Sequence, residues 1–309
     1  MLIHDLHLVL KVAEHKSIKK AGESLNMRTA TASAALQRVE KAFGITFFQR
    51  STRQLKLSSA GEKHLPKINQ ALELLSQIEQ SAKNDEDVVD GVMRIAAPSD
   101  FGRNRLLPWL DELVEHHPKL SLNLHISDSN IDFYRESVDV ALRYGPPKDS
   151  RMYGFKICDV PRVVCASPQY VAQHGYPEHP QALTVHNGLL YQMHDIVYDV
   201  WEFTQGSDKL KVKIRSNRTA NDADLVRRWC VNGKGFAIKS VLDMSQDLLE
   251  DRLINILPNY KPTPTELWLI CPSKQLITPA IRLLREQVTS KCEKLLSALQ
   301  DKGVLNLKE

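Results

Sequence analysis

The stretch "NMRTATASAALQRVEKAFG", residues 26–44, predicts a helix whose two faces carry side chains of different size. The apolar side chains at helical spacing are Ala32, Leu36, Val39 and Phe43. Gly44 follows them as a stop signal. The opposite face begins with side chains no larger than threonine. We therefore expect that face to approach another surface closely, either a second helix or another molecule.

Short helices and a hairpin surround this stretch. A first helix is indicated by four apolar residues at helical spacing, namely Leu6, Val9, Leu10 and Ala13. Ser17 is a candidate N-cap for a second helix, which a short turn at residues 26–28 joins to the third. Residues 47–61, "FFQRSTRQLKLSSAG", predict two short strands around a basic turn at 51–54. This order is typical of a winged helix-turn-helix.

Positive charge is concentrated in the same segment. Residues 1–64 hold eleven Lys and Arg against five Asp and Glu, whereas the remainder holds thirty against thirty-two. A basic segment suits a polyanion, and a helix with small side chains fits the DNA major groove. The predicted DNA-contacting residues are Arg28, Thr29, Ala30, Ser33 and Gln37 on the helix, and Arg50, Arg53 and Lys56 on the wing. The alternative is a helix pair packed through its alanines, with Arg28 and Gln37 in solvent.

A long helix is predicted over residues 61–85. Its apolar stripe follows near-heptad spacing and consists of Leu65, Ile68, Leu72, Leu75 and Ile78. We interpret the stripe as a dimerisation seam, because it joins two otherwise separate modules. The alternative is that it packs on the core of its own chain.

Beyond residue 91, strand patterns alternate with helical patterns. Examples are "VMRIAAP", "LSLNLHIS", "VDVALRYG" and "GFAIKS", with a last helix beginning at Pro279. Such alternation favours parallel sheets with helical crossovers. The second part of the chain is therefore expected to be α/β.

The chain resembles the LysR-type transcriptional regulators. In the N-terminal segment the resemblance rests on "VAEHKSIKKAGESL" at residues 12–25 and on the run that ends in "LKLSSAG" at residue 61. Further along, "DVALRYG", "CASPQYVAQHGYP", "NDADLVRRWCVNGKGFA" and "LWLICPS" are similar to the co-inducer-binding domain of that family. The resemblance therefore covers nearly the whole chain.

The resemblance implies a domain plan and a set of partners. The fold class is α/β overall: an all-α winged helix-turn-helix at 1–60, a dimerising linker helix at 61–90 and a two-lobed domain like periplasmic binding proteins at 91–300. Lobe I would comprise about 91–161 and 266–300, lobe II about 162–265, and a tail 301–309. Implied partners are double-stranded DNA, a small-molecule effector between the lobes, further copies in a homodimer or homotetramer, and RNA polymerase as a candidate.

The sequence departs from the family pattern at two places. Family members often carry Ser-Gln-Ser where this chain has Arg28-Thr29-Ala30. Thr29 reaches less far than glutamine, so we expect base contacts that differ from the common ones and more dependence on DNA shape. Gly22 replaces an alanine, which lowers helix propensity.

Three strand-to-helix junctions supply the predicted effector site. Their residues are Ser99, Asp100 and Phe101, then Cys165 and Ser167, then Asn221 and Asp222. Three helix N-termini could converge there on a small polar or anionic molecule, or these residues could only cap their helices. Arg143 is expected to pair with a ligand carboxylate or with an acidic neighbour. Asp100 would repel an anion unless paired or protonated, so the charge of the ligand stays open.

Several protein classes are disfavoured by the sequence. It contains no nucleophile elbow, P-loop, HExxH or CxxC pair, so neither an enzyme nor a metal or other cofactor is expected. No apolar run reaches the roughly 18 residues of a membrane span, and the first residues do not form a signal peptide. Five scattered cysteines suit reduced thiols in the cytoplasm. An alternative switch is oxidation of Cys165, Met152, Met193 or Met244.

Overall fold

The computed structural model describes residues 3–50, 55–83, 89–129, 133, 137–147, 149, 151–193, 195–206 and 208–305, without the side chains of residues 50, 73 and 76–83. The chain divides into two units. The N-terminal unit is Met1–Asp85 with Tyr134–Ser137, and the C-terminal unit is Glu86–Phe133 with Val138–Glu309. Each unit has a hydrophobic core of its own.

The described part of the N-terminal unit consists of four helices and one hairpin. In chain order its elements are α1 (Ile3–His15), α2 (Ile18–Ser24), α3 (Thr29–Phe43), β1 (Phe48–Arg50), β2 (Leu55–Leu57) and α4 (Ser59–Lys83). β1 and β2 pair antiparallel. Local signals set the boundaries, because Ser17 accepts a hydrogen bond from the Lys20 N–H and Gly44 ends α3 with a left-handed φ of 65°.

Gly22 permits the tight turn between α2 and α3. A Cβ atom at this position would lie 3.1 Å from the carbonyl oxygen of Met27 and 3.2 Å from the Cβ of Ala32. The Met27 N–H donates to the carbonyl oxygen of Gly22 at 2.8 Å. Glycine lowers the helix propensity of α2, but the absence of a Cβ atom allows α2 and α3 to pack closely.

The predicted apolar face of α3 is buried except at its end. Ala32, Leu36 and Val39 belong to the core of the N-terminal unit, together with Ala35. Phe43 differs from the other three residues of this face, because it is 45% exposed. Phe43 is the last helical residue, and its ring lies at the surface beside that of Phe47, with centroids 6.3 Å apart.

The stripe on α4 packs mainly on its own chain. Ile68 and Leu72 are buried in the N-terminal core, and Leu65 and Leu75 are half-buried against it. The dimer interpretation is therefore corrected for Ile68 and Leu72, which other residues of the same unit already cover. The side chain of Ile78 lies outside the described residues.

The C-terminal unit contains fourteen strands, six α-helices, one π-helical segment and two 3-10 helices among the described residues. Its first part runs β3 (Gly91–Ala97), α5 (Ser99–Phe101), a π-helical segment Gly102–Leu106, α6 (Leu107–His116), β4 (Leu120–Ile126), β5 (Val140–Tyr144) and β6 (Tyr153–Val160). Then follow β7 (Arg162–Ala166), α7 (Pro168–His174), a 3-10 helix Pro180–Val185, β8 (Gly188–Met193), β9 (Ile196–Val197), β10 (Val200–Gln205), β11 (Asp208–Lys213), β12 (Ser216–Ala220) and α8 (Ala223–Val231). The last elements are β13 (Ala237–Ser240), α9 (Ser245–Leu249), β14 (Ile254–Asn255), β15 (Lys261–Pro262), β16 (Thr265–Cys271), a 3-10 helix Lys274–Leu276 and α10 (Pro279–Asp301).

The sheets of this unit are mixed rather than parallel. The five-stranded sheet has the order β4-β3-β5-β16-β6, with β3 parallel to β4 and β5 but β16 antiparallel to β5 and β6. We call this sheet with α5, α6 and α10 lobe I, and the elements from β7 to β15 lobe II. The expectation of parallel sheets is corrected because β6 leaves lobe I and β16 returns beside it.

The described residues of lobe II form three small sheets. Their orders are β11-β10-β15, β12-β8-β9 and β13-β7-β14, and only β8 and β12 pair in parallel within them. Among the helices of the described residues, none combines the length and the apolar character needed to cross a bilayer.

Candidate functional site

The first candidate surface is the face of α3 that points away from the core. The predicted contact residues exposed on it are Arg28, Thr29, Ala30 and Gln37. Ser33 is half-buried, and Lys56 is exposed on β2. Arg53 and the side chain of Arg50 lie outside the described residues.

The small side chains of α3 serve two different contacts. Ala32 and Ala35 are buried within the unit, whereas Ala30 and Ala34 are exposed. Arg28, the N-cap, makes no side-chain hydrogen bond to the first turn. An exposed helix start without a side-chain cap is suited to a phosphate, and the exposed alanines permit close approach of the backbone.

Two carboxylates fix the orientation of α3. Asp5 of α1 is buried and accepts two hydrogen bonds from Arg38, Nε to Oδ2 at 3.1 Å and Nη2 to Oδ1 at 2.8 Å. Glu40 Oε1 accepts from the Phe47 N–H at 2.8 Å, next to β1. The exposed face of α3 is thereby held against both α1 and the hairpin.

The second candidate site is a cavity of about 710 Å³ in the C-terminal unit. Both lobes line it: Arg143 and Tyr144 come from lobe I, and Arg162, Tyr191 and Lys239 from lobe II. Its volume lies in the range of small-molecule sites.

A buried ion cluster forms part of the cavity wall. Lys239 Nζ lies 2.5 Å from Asp100 Oδ2 and 3.4 Å from Asp243 Oδ2. The Tyr144 hydroxyl donates to Asp243 Oδ1 at 2.6 Å and lies 2.9 Å from Ser240 Oγ. Asp100 and Tyr144 belong to lobe I and the other three to lobe II, so the cluster links the lobes.

Burial and charge shift the protonation equilibria in this cluster. Burial raises the pKa of Asp100 to about 7, against the attraction of Lys239. Burial alone would lower the pKa of Lys239, but its attraction to Asp100 and Asp243 outweighs burial and raises that pKa. Lys239 is therefore a cation at neutral pH, and Asp100 already has a partner of opposite charge.

Two of the three predicted helix N-termini meet at a side chain of the protein itself. Asp128 accepts from the Ser99 N–H at 2.7 Å and from Ser99 Oγ at 2.5 Å. It also accepts from the Ala223 N–H, at the start of α8, at 2.7 Å. The Asp128 carboxylate therefore occupies the position proposed for an anionic ligand.

Replacing Asp128 by asparagine should weaken the contact between the lobes. The amide keeps one acceptor oxygen but loses the negative charge at two helix N-termini, so we expect a loss of about 1–3 kcal/mol in the unfolding free energy of the C-terminal unit. Denaturant unfolding of the variant measures this loss. A stability equal to that of the wild type would contradict the role assigned to Asp128.

Six of the eight predicted effector residues do not line the cavity, and the predictions for three of these six are corrected because their side chains only pack or cap. Phe101 is fully buried, with its ring 5.7 Å from that of Trp109. Cys165 is fully buried and donates from Sγ to the carbonyl oxygen of Ala237. Ser167 caps α7 by accepting from the Tyr170 N–H. Their side chains serve packing and capping.

The other predicted residues lie at or near the cleft. Asp100 and Arg143 line the cavity, and Arg143 donates to the carbonyl oxygens of Ser127 and Ser129. Asp222 caps α8 and accepts from Arg103 of lobe I at 2.9 Å. Asn221 is exposed and is not part of the cavity wall.

Lys239 and Asp128 were not among the residues predicted for this site. The available signal for Lys239 was an ionisable residue inside the apolar strand "GFAIKS". For Asp128 the signal was its position just after β4, at the carboxyl end of a parallel strand.

Comparison with known proteins assigns the chain to a family. Residues 3–62 match the family described as bacterial regulatory helix-turn-helix protein, lysR family, and residues 86–293 match the LysR substrate binding domain. The chain belongs to the LysR family. The expected fold class is confirmed, and the members of this family are transcription regulators rather than enzymes.

Individual LysR-family relatives match along most of their length. The HTH-type transcriptional regulator DmlR of Escherichia coli K12 is 26% identical over 92% of this chain and 92% of its own. The Vibrio cholerae virulence activator AphB is 26% identical with a TM-score of 0.59, covering 94% of this chain and 99% of its own. CrgA of Neisseria meningitidis gives 25% identity, a TM-score of 0.58, and coverage of 94% and 98%. The chain is therefore similar to whole regulators rather than to single domains.

Proposed function

We propose that this LysR-type regulator binds specific DNA sequences through α3 and the β1–β2 hairpin, under the control of a small-molecule effector in the cleft. The observation that carries the proposal is the cavity whose walls come from both lobes. Contacts between the lobes surround it, including the pairs Lys239–Asp100 and Arg103–Asp222. A ligand that binds one arrangement of these walls better than another shifts the population toward it. The proposed DNA binding and the five free cysteines support a cytoplasmic location.

A nuclease footprint tests this proposal. The full-length protein is incubated with the DNA that flanks its own gene, with and without pools of small metabolites. We expect protection over several helical turns, with a pattern that one pool changes. A folded protein that protects no DNA at low salt would contradict the DNA part. A footprint that no metabolite changes would contradict the effector part.

Ser33 and Lys56 should differ in what they contribute to DNA binding. If the Ser33 hydroxyl contacts a base, Ser33→Ala should cost about 1–3 kcal/mol on the specific site and little on random DNA. Lys56→Ala should weaken binding to all sequences and lower the salt slope by about one. Titrations at several salt concentrations measure both effects.

The matched control for Ser33 is Ser24→Ala. Ser24 is exposed at the end of α2, and its hydroxyl donates to the carbonyl oxygen of Ala21. Its replacement should leave base preference unchanged. If Ser33→Ala and Lys56→Ala lost affinity equally on specific and random DNA, the proposed division of roles would be wrong.

We propose that the protein acts as a homodimer or homotetramer and that α4 forms part of the dimer interface. Ile68 and Leu72 are excluded from it because they are buried in their own unit. Leu74 of the same helix is 43% exposed, and Leu65 and Leu75 are half-buried. RNA polymerase is the candidate partner for activation.

An oxidation switch is the second candidate, and one thiol pair favours it. The Cys158 thiol of β6 and the Cys292 thiol of α10 interact, and this interaction lowers the pKa of Cys158 and raises that of Cys292. A peroxide would convert the two thiols to a disulfide and itself become an alcohol and water. Cys165 and Met244 are fully buried, whereas Met152 and Met193 line the cavity.

The oxidation switch is tested with peroxide followed by mass spectrometry and a DNA-binding titration. We expect a linkage of the Cys158 and Cys292 peptides that reductant reverses, and a change in DNA affinity that Cys158→Ser abolishes. Unlinked peptides, or an affinity change that persists in Cys158→Ser, would contradict this pair as the switch.

A further inference from the structure

The described carboxylates of the cavity wall are all engaged by partners. Asp100 and Asp243 share Lys239, and Asp128 accepts from two helix N-termini. The remaining acidic residues of the wall each pair with a basic residue, Asp149 with Arg151 and Glu202 with Lys211. Among the residues that the structure describes, the wall therefore holds no acidic group that needs a cationic ligand.

Arg162 differs from these residues. It is the first residue of β7, directly after the crossing from lobe I at Pro161, and it lines the cavity with an exposed side chain. Within the part of the chain that the structure describes, its guanidinium makes no hydrogen bond or ion pair. Asp243 attracts it only at longer range, and the oxygens of Asp243 are already held by Lys239 and Tyr144.

The free guanidinium presents a specific geometry to the cavity. It carries five N–H donors in a planar fork, and this fork matches the two oxygens of a carboxylate. Because the charge of arginine persists at all physiological pH values, the donors stay available.

An apolar surface lies in the same cavity. Tyr198 and Val200 line it with 48% and 49% of their side chains exposed. The Tyr198 ring stacks on that of Tyr191, with centroids 6.1 Å apart and planes at 22°. Exposed apolar side chains at a cavity wall are typical of ligand contact.

We infer that the effector is a small organic carboxylic acid with an apolar body, whose carboxylate pairs with Arg162 and whose body covers Tyr198 and Val200. This inference rests on the proposed function and names the ligand class for its cleft. It places the acid group away from the helix N-termini, where Asp128 already provides the negative charge. Arg162 thereby favours ligands with a negative charge, and Tyr198 and Val200 favour ligands with an apolar body.

Three small probes test the inference by calorimetry on the full-length protein. Benzoate has both features, benzamide has the same ring without the charge, and acetate has the charge without the ring. We expect benzoate to bind at least about tenfold more tightly than either of the others. A tenfold difference in the dissociation constant corresponds to about 1.4 kcal/mol, and the loss of a bidentate charged contact should cost at least this much.

Variants of Arg162 test whether this residue binds the carboxylate of benzoate. Arg162→Gln should weaken benzoate binding at least about tenfold, and Arg162→Lys should retain part of it because the charge remains. Arg162→Gln should fold normally, since no described side chain loses a partner. The matched control is Arg215→Gln, which removes a charge from an exposed position outside the cavity wall and should leave binding unchanged.

The inference is overturned if benzoate does not bind, if benzamide binds equally well, or if Arg162→Gln binds benzoate like the wild type. The metabolite footprint separates this failure from that of the proposed function. A cationic or uncharged effector that changes the footprint would leave the cleft proposal intact and overturn the acid. Benzoate binding that depends on Arg162, with no metabolite changing the footprint, would support the site and overturn the regulatory role.

Discussion

Replacing Lys239 by methionine is expected to destabilise the C-terminal unit by about 3–5 kcal/mol, because breaking a buried ion pair leaves its partner without compensation. Lys239 is 7% exposed and holds both Asp100 and Asp243. Methionine retains the length and apolar character of the side chain, so packing changes little. Urea unfolding at neutral pH measures the loss. Lys234→Met, which changes an exposed lysine three residues after α8, is the control and should cost little.

The dependence of this loss on pH identifies its cause. The pKa of Asp100 is about 7 in the folded wild type, against 3.8 for an unperturbed aspartate, so the folded state binds the extra proton between these values and stability falls as pH rises through them. In Lys239→Met the attraction that opposes this shift is gone. The loss of stability should therefore be smaller near pH 5, where Asp100 is protonated, than near pH 8.

A second substitution checks the same explanation. Asp100→Asn in the Lys239→Met background removes one of the two uncompensated carboxylates and should recover part of the lost stability. Equal losses at pH 5 and pH 8, together with no recovery in the double variant, would show that packing rather than charge causes the effect.

The helix ends and caps could be predicted from the sequence, because they depend on residues only a few positions apart. The ends of α2 and α3 follow from Ser17 and Gly44, because capping acts within one turn. The capping roles of Ser167 and Asp222 were open alternatives at the sequence level, and the structure shows both. These signals are local, and no tertiary contact overrides them.

Features that depend on distant residues could not be predicted. Asp128 lies 29 residues from Ser99 and 95 from Ala223, and no spacing rule joins the three. The antiparallel insertion of β16 depends on the return of the chain from lobe II, which the alternation of elements does not encode. The apolar stripe of α4 was visible, but a stripe does not specify whether its own chain or a second copy covers it.

Glutamate substitutions at Leu72 and Leu74 of α4 distinguish residues that are buried by their own chain from residues that a second copy would bury. Leu72 is 4% exposed in the N-terminal core, so Leu72→Glu should destabilise that unit by about 3–5 kcal/mol through a buried, unpaired charge. Leu74 is 43% exposed, so Leu74→Glu should leave the stability of the unit within about 0.5 kcal/mol of the wild type. Denaturant unfolding followed by circular dichroism measures both.

Oligomeric state gives the second half of the test. If α4 pairs with its copy through the exposed face, Leu74→Glu should shift a dimer toward monomer in sedimentation velocity and weaken binding to a two-site DNA much more than to a single half-site. Gln70→Glu, which adds the same charge to another exposed residue of α4, shows whether the loss needs the apolar position. A folded Leu74→Glu protein that stays dimeric would exclude this face, because a charge placed in an apolar seam opposes association. The dimer contact would then have to use other residues, either elsewhere on α4 or in another element, because Leu72 and Ile68 are covered by their own chain.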